Sequence, residues 1–271
     1  MLMMNLQQDL SLFVIMRGTE MGQITAKIKP AAGFSHVIHI MLVCLLPALL
    51  FVLVRLRFFQ LQIGISLILL SKWRMFAVKP RHWPASIRAN AVDVIFGLSM
   101  LVFMIHSDTQ LFQLLWAVLY GVWLVVLKPQ ASQFGIALQA LVAQSVGLVA
   151  ILIAWGSSPL FVLVAGAWVI AYMSARHFFA SFEEAMTRFL ALVWSYFAAA
   201  MMWILGHWLL FYGSVAQPAL LLSVISFGLG GIYYLEKSDR MSLLLRRQLV
   251  FVVFAVVLIV LTLSDWGDKT I

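Results

Sequence analysis

The residues able to do chemistry in this chain are few, and most of them cluster where apolar runs end. Arg88, Asn90 and Asp93 stand at the start of one run, and Ser174, Arg176, His177, Glu183, Glu184 and Arg188 lie between two later ones. Arginine grips phosphate through a planar fork of donors, and a carboxylate or an imidazole passes protons. Asp93, His177 and Glu183 are therefore the catalytic candidates for an intramembrane enzyme acting on lipid headgroups, with Arg88, Asn90 and Arg176 as the headgroup-binding candidates. Glu184 and Arg188, acid first at i,i+4, would pair along a helix. A simpler reading of the same residues is a set of salt bridges and snorkelling side chains that tie short loops to a membrane surface.

A second, thinner set is uncharged. Gln139, Gln144 and Ser145 share one apolar run, with Ser195, Ser223 and Ser226 in later ones. Gln144, Ser195 and Ser226 are the ligand-binding candidates for a small neutral or lipid-like solute. The plainer alternative is helix-to-helix hydrogen bonding at about 0.6 kcal/mol each. Gly228, Gly230 and Gly231 either loosen their helix, as transporter sites do, or let backbones approach closely. Four small-xxx-small pairs favour close approach: Ala143/Gly147, Ala167/Ala171, Ser195/Ala199 and Ser226/Gly230. Together they place the tight core in the fifth to eighth runs.

Six histidines divide between the two ends of the runs. His39 with His177 and His106 with His207 are the facing pairs a haem would need, but nothing in their spacing requires one, and no cofactor or metal is assigned. The single Cys44 sits inside an apolar run, which rules out an internal disulfide and a cysteine-built metal site and leaves a small core residue. Trp73, Trp83, Trp155, Trp208 and Trp266 fall near the ends of runs, as interfacial belts do. Trp116, Trp123, Trp168, Trp194 and Trp203 fall deeper and read as packing.

These residues must be positioned by elements that the composition identifies. Of 271 residues, 64% are apolar and only 10% charged, and the mean hydropathy is +1.03. No ordinary soluble domain, disordered tail or coiled coil has that balance; a polytopic membrane protein does. About 20 apolar residues cross a hydrocarbon core about 30 Å thick. Nine runs meet that need, at 37–54, 58–78, 91–106, 110–127, 134–155, 160–175, 189–212, 219–235 and 249–264. Between them stand Arg55 and Arg57, Asp108, Lys128-Pro129, the 156–159 turn, Gly213-Ser214 and the charged stretch 236–240.

With nine spans, fifteen of the eighteen lysines and arginines fall on one side, leaving Arg55, Arg57 and Lys269 on the other. The positive-inside rule then puts the N-terminus in the cytoplasm and the C-terminus outside. The net charge of +8 is largely this asymmetry, and it gives no reason to expect nucleic-acid binding. The expected organisation is all-α: a cytoplasmic segment 1–33, read either as a short interfacial helix or as a frayed tail, a single transmembrane bundle 34–265, and an external tail 266–271.

Loops this short hold no domain, so any active site lies in the bundle or at its rim. No nucleotide-binding loop, HExxH or GxSxG pattern occurs, which speaks against nucleotide-driven transport and familiar hydrolase chemistry. Asp93 enters its run by a few residues only, so no buried carboxylate is expected at mid-depth. The leading expectation is a structural or assembly role in a bacterial-type cytoplasmic membrane, with membrane lipids and a protein partner or homo-oligomer as partners. A carrier for a small neutral or lipid-like solute is the alternative, and the headgroup enzyme comes third.

Overall fold

The computed structural model describes residues 34–57, 60–73, 76–77, 79–208, 211–212 and 215–265. The interfacial helix or frayed tail read within 1–33, and the tail 266–271, lie outside them. The chain divides into residues 1–43 and 44–271. Of the first unit, the described residues 34–43 are all helical and open the first helix.

Nine α-helices follow one another among the described residues: α1 Phe34–Leu56, α2 Gln60–Ser71, α3 Trp83–Ile105, α4 Gln110–Val122, α5 Gln133–Trp155, α6 Leu160–Ala180, α7 Thr187–Gly206, α8 Gln217–Lys237 and α9 Leu243–Leu263. Their order matches the nine apolar runs. Seven are long and apolar enough to cross a membrane, and 40–56 and 61–71 are shorter apolar helices. The protein is thus an all-α bundle of the kind a multi-pass membrane protein forms.

The boundaries have local causes. Ser132, Thr109 and Ser242 each cap a helix by accepting a backbone N–H three residues on, from Gly135, Phe112 and Leu245. Proline opens α3 and α8, where its missing N–H costs nothing. Helix α7 stops at Gly206, short of the expected end at 212, because the chain turns there into a two-residue hairpin. In it, Phe211 pairs with Ala216 and Tyr212 with Val215. Helix α3 starts at Trp83, eight residues before the apolar run does, so Asp93 is its eleventh residue.

Helix α5 is the centre of residues 44–271. It packs against α3, α6 and α8, while α6 packs most extensively on α7. The core cluster draws Leu148 and Ile151 from α5, Ala167 and Ala171 from α6, Ala198 and Met202 from α7, and Ala219 and Leu222 from α8. Small residues at these positions let helix axes approach. The expected core of spans five to eight needs one addition, because α3 is buried as deeply as α5 (56% of each span), against 22% for α7. On α7 the expected Ser195/Ala199 pair is also shifted: Ser195 and Ala198 are buried and Ala199 only half so. The other three pairs, Ala143/Gly147, Ala167/Ala171 and Ser226/Gly230, are buried at both members.

Helix α8 runs unbroken through Gly228, Gly230 and Gly231, so the glycines do not make a discontinuous helix. A Cβ on Gly230 would stand 3.0 Å from both Leu141 methyls, and one on Gly228 would stand 2.2 Å from Val253. Close approach is their use. Cys44 is exposed, not a core residue: its stretch of α1 presents Met41, Leu42 and Leu45 on the outer surface as well.

Candidate functional site

Two polar groups inside the bundle each join three helices. The first centres on Asp93, whose carboxylate is buried among its neighbours in the bundle. Lys72 Nζ donates to Asp93 Oδ2 at 2.7 Å, Lys128 Nζ lies 3.2 Å from the same oxygen, and Trp123 Nε1 donates to Oδ1 at 3.2 Å. The three donors come from the ends of α2 and α4, where lysine is expected; Asp93 reaches them because α3 extends past those ends.

A change of helix type makes this convergence possible. Residues Trp123–Leu127 form a π turn, closed by Lys128 N–H donating to Trp123 O at 2.8 Å. Residues five apart on an α-helix lie about 140° apart around the axis. The wider i→i+5 turn brings them nearly into line, and so both Trp123 and Lys128 face Asp93. Phe96 stacks on Trp123 with ring centroids 3.8 Å apart. Beside them Tyr120 is fully buried with its hydroxyl unpartnered, packed where Gly97 lacks a side chain. Every oxygen of Asp93 is engaged, so its carboxylate acts here as a tether.

None of the other headgroup candidates bonds to Asp93, although His177 comes within its electrostatic reach. Asn90 Nδ2 donates back to Ser86 O at 2.9 Å on its own helix. Arg88 and Arg176 are half-buried, and neither pairs with an acid among the described residues. His177 Nε2 is buried without a partner. Glu183 is exposed at a turn, with φ at 54°. Residues 181–186 form that turn, so Glu184 and Arg188 share no helix and the expected i,i+4 pair is absent. Glu184 instead reaches across to α8, where it pairs with Lys237 and accepts from Tyr233 at 2.5 Å. The hydrogen bonds from Lys237 and Tyr233 hold its carboxyl below the usual carboxylate range.

The second group forms the wall of a cavity of about 310 Å³ between α5, α6, α7 and α8. Gln144 Nε2 donates to Ser226 Oγ at 2.5 Å, and Trp194 Nε1 donates to Gln144 Oε1 at 2.9 Å. Ser226 Oγ in turn donates a hydrogen bond to Leu222 O. This relay joins α5, α7 and α8. Ser195 does not belong to it, because its hydroxyl donates to Leu192 O on its own helix. Trp194, one residue earlier, takes the place expected of Ser195. The indole N–H was the available signal, since a buried tryptophan seeks one acceptor.

The rest of the cavity is apolar, with Leu141, Phe178, Leu229 and Gly230 among its walls. One polar atom there is unsatisfied: Ser174 lines the cavity, is 1% exposed, and its Oγ has no hydrogen-bond partner. Toward the end where Glu184 and Lys237 meet, Tyr233 closes the space against Phe178, Phe179 and Phe182.

Of the other histidines, His82 is exposed, while His106 and His207 bond to their own helices. His106 Nδ1 is 2.9 Å from Val102 O and His207 Nδ1 is 2.6 Å from Trp203 O, each one turn back on its own helix. The side chains of His36 and His39 lie outside the described set. No group of three or more metal-ligating side chains occurs among the described residues. No protein-family model, curated protein or solved structure matches the chain.

Proposed function

We propose that this chain is a carrier that binds a small neutral or lipid-like solute within its bundle, in the cavity walled by Gln144, Ser174, Trp194 and Ser226. The observation that carries the reading is Ser174. A buried hydroxyl without a partner costs about 1–3 kcal/mol, and here it stands on the wall of an apolar space already of ligand size. A solute offering one hydrogen-bonding group and an apolar body would satisfy it. The saturated Gln144 relay supplies a rigid back wall. The partner-binding role would rest on the apolar outer faces of α4 and α9, which a lipid bilayer covers equally well. Of the headgroup enzyme's two candidate carboxylates, Asp93 is held three times over and Glu183 is exposed at a turn, lining neither cavity.

Nine spans in a cytoplasmic membrane, N-terminus inside, is the topology we assign. Side chains that this topology puts on one side meet one another: Lys72 and Lys128 with Asp93, and Glu184 with Lys237. On the opposite side Trp116 donates to Ser107, and Gln217 to Ser264. A reporter fused after Lys29 is expected inside the cell, and one fused after Asp265 outside.

Native mass spectrometry of the protein extracted with its surrounding lipid tests the carrier reading. A defined small molecule is expected on the wild type, reduced in Ser174→Val and absent from Leu229→Trp, which fills the cavity from its exposed side. Identical adducts on all three proteins would overturn it.

A further inference from the structure

A second concavity, on the other side of α5 and α6 from that cavity, is larger and almost wholly apolar. It measures about 640 Å³ and runs between α2, α3, α5 and α6. Its floor is built from buried small and branched side chains, including Ala91, Gly147, Ala150 and Ile151. Leu69, Ile87, Trp155 and Val169 form an exposed rim, so the space opens sideways to the outer surface. Helix α3 lines it from Ile87 to Val102, a rise of about 22 Å. One leaflet of a bilayer is about 15 Å deep in hydrocarbon. The groove therefore has the length and the lateral opening of a site for one extended acyl chain.

What marks its end is charge. On α3 the lining residues form one stripe, and Arg88 lies about 70° from the stripe's centre. On α6 the lining residues Ala165, Gly166, Val169, Ile170 and Met173 form the facing stripe, and Arg176 lies about 50° from its centre. The two arginines also lie at one level. A Cβ on Gly147 would meet Ile95 and Ile170 together, at 2.8 and 3.1 Å, which puts those two residues side by side. Helices α3 and α6 are separated by two intervening helices and so run in opposite directions. Arg88, seven residues before Ile95, and Arg176, six after Ile170, then stand about 9–10 Å beyond that level toward the same end.

Neither guanidinium has an acidic partner among the described residues. Asp93, the nearest acid along α3, lies on the opposite face and is taken by Lys72 and Lys128. Two half-buried, unpaired arginines at the mouth of an apolar groove complement an anion attached to an apolar chain.

We propose that this groove seats one acyl chain of an anionic phospholipid, its phosphate held between Arg88 and Arg176. The site is independent of the solute cavity and stands or falls separately from it. The full chain would be reconstituted in phosphatidylcholine nanodiscs containing phosphatidylglycerol, released into mild detergent, and its retained lipids counted by native mass spectrometry. Wild type is expected to retain one phosphatidylglycerol selectively. Joint Arg88→Gln and Arg176→Gln should weaken that retention about thirtyfold, with each basic residue counting for about 1 kcal/mol. Arg240→Gln, an exposed arginine elsewhere, should leave it unchanged.

Val169→Trp, which fills the groove from its exposed rim, should abolish retention while both arginines remain. Size-exclusion profiles and melting temperatures matching wild type show that each variant is folded. Equal retention of the neutral lipid, or retention unaffected by either arginine loss or Val169→Trp, would overturn the proposal. So would displacement of the lipid by millimolar inorganic phosphate, because the headgroup alone would then explain the binding.

Discussion

Removing the charge of Asp93 tests how the bundle holds its ends together. In Asp93→Asn the amide oxygen still accepts from Trp123, and Lys128, 42% exposed, can return to water at a cost of about 0–1 kcal/mol. Lys72 cannot, because its side chain is 7% exposed and its ammonium would be left buried without a counter-charge. Breaking a buried pair from one side costs about 3–5 kcal/mol; since a lysine can relax outward along its stem, we expect about 3. For a chain of this size that is a melting-temperature drop of roughly 6–12 °C.

Lys72→Met leaves Asp93 with Lys128 and Trp123 and should cost about 1–2 kcal/mol. The double substitution leaves no buried charge and should cost no more than Lys72→Met alone, so the two changes couple by at least about 3 kcal/mol. Thermal unfolding of these four proteins and of Lys128→Gln in nanodiscs reads this directly. If Asp93→Asn cost no more than Lys128→Gln, water would have to reach the cluster, and the account of a buried tether would be wrong.

Three further outcomes follow from the packing and the charges. Gln144→Leu strands the Trp194 N–H while Ser226 keeps its bond to Leu222, so stability should fall by about 1 kcal/mol and the Trp194 emission should shift, readable by fluorescence against Trp194→Phe. A Cβ on Gly166 would stand 1.8 Å from Ile151 Cδ1. Gly166→Ala should therefore destabilise by about 1–2 kcal/mol alone, yet be neutral or better in an Ile151→Val background that lacks that methyl; equal effects in both backgrounds would refute the clash. The depressed carboxyl of Glu184 stabilises the folded protein above its ordinary value of 4.5 and loses that contribution as pH falls through the folded value. The melting temperature of wild type should therefore drop more between pH 6 and pH 3 than that of Glu184→Gln; identical drops would show that the link to Lys237 carries no stability.

The order of the elements was legible from composition alone. Hydropathy over windows of about 20 residues reports transfer into hydrocarbon, a local property, so nine apolar runs became nine helices in sequence. Where an end depends on the surroundings, the local signal failed. Helix α3 begins at Trp83 because its first turns, though too polar to count as apolar, still close their own hydrogen bonds. Helix α7 ends at Gly206 because the chain turns back there, although the residues beyond stay apolar.

Pairings across the bundle were out of reach for a stronger reason. Gln144 and Ser226 could be suspected as buried polar groups, since hydrocarbon makes such groups seek partners, but only tertiary structure chose Trp194 over Ser195 to complete them. A single residue rotates a side chain by about 100° around a helix, enough to turn one inward and its neighbour along its own backbone. The π turn at Trp123–Leu127 is a finer case, because no residue type demands it. It follows from three donors settling on one buried carboxylate, and that carboxylate is buried only because α2, α3 and α4 come together around it. Residue types thus determined which groups had to be satisfied, and the packing of helices far apart in the chain decided by whom.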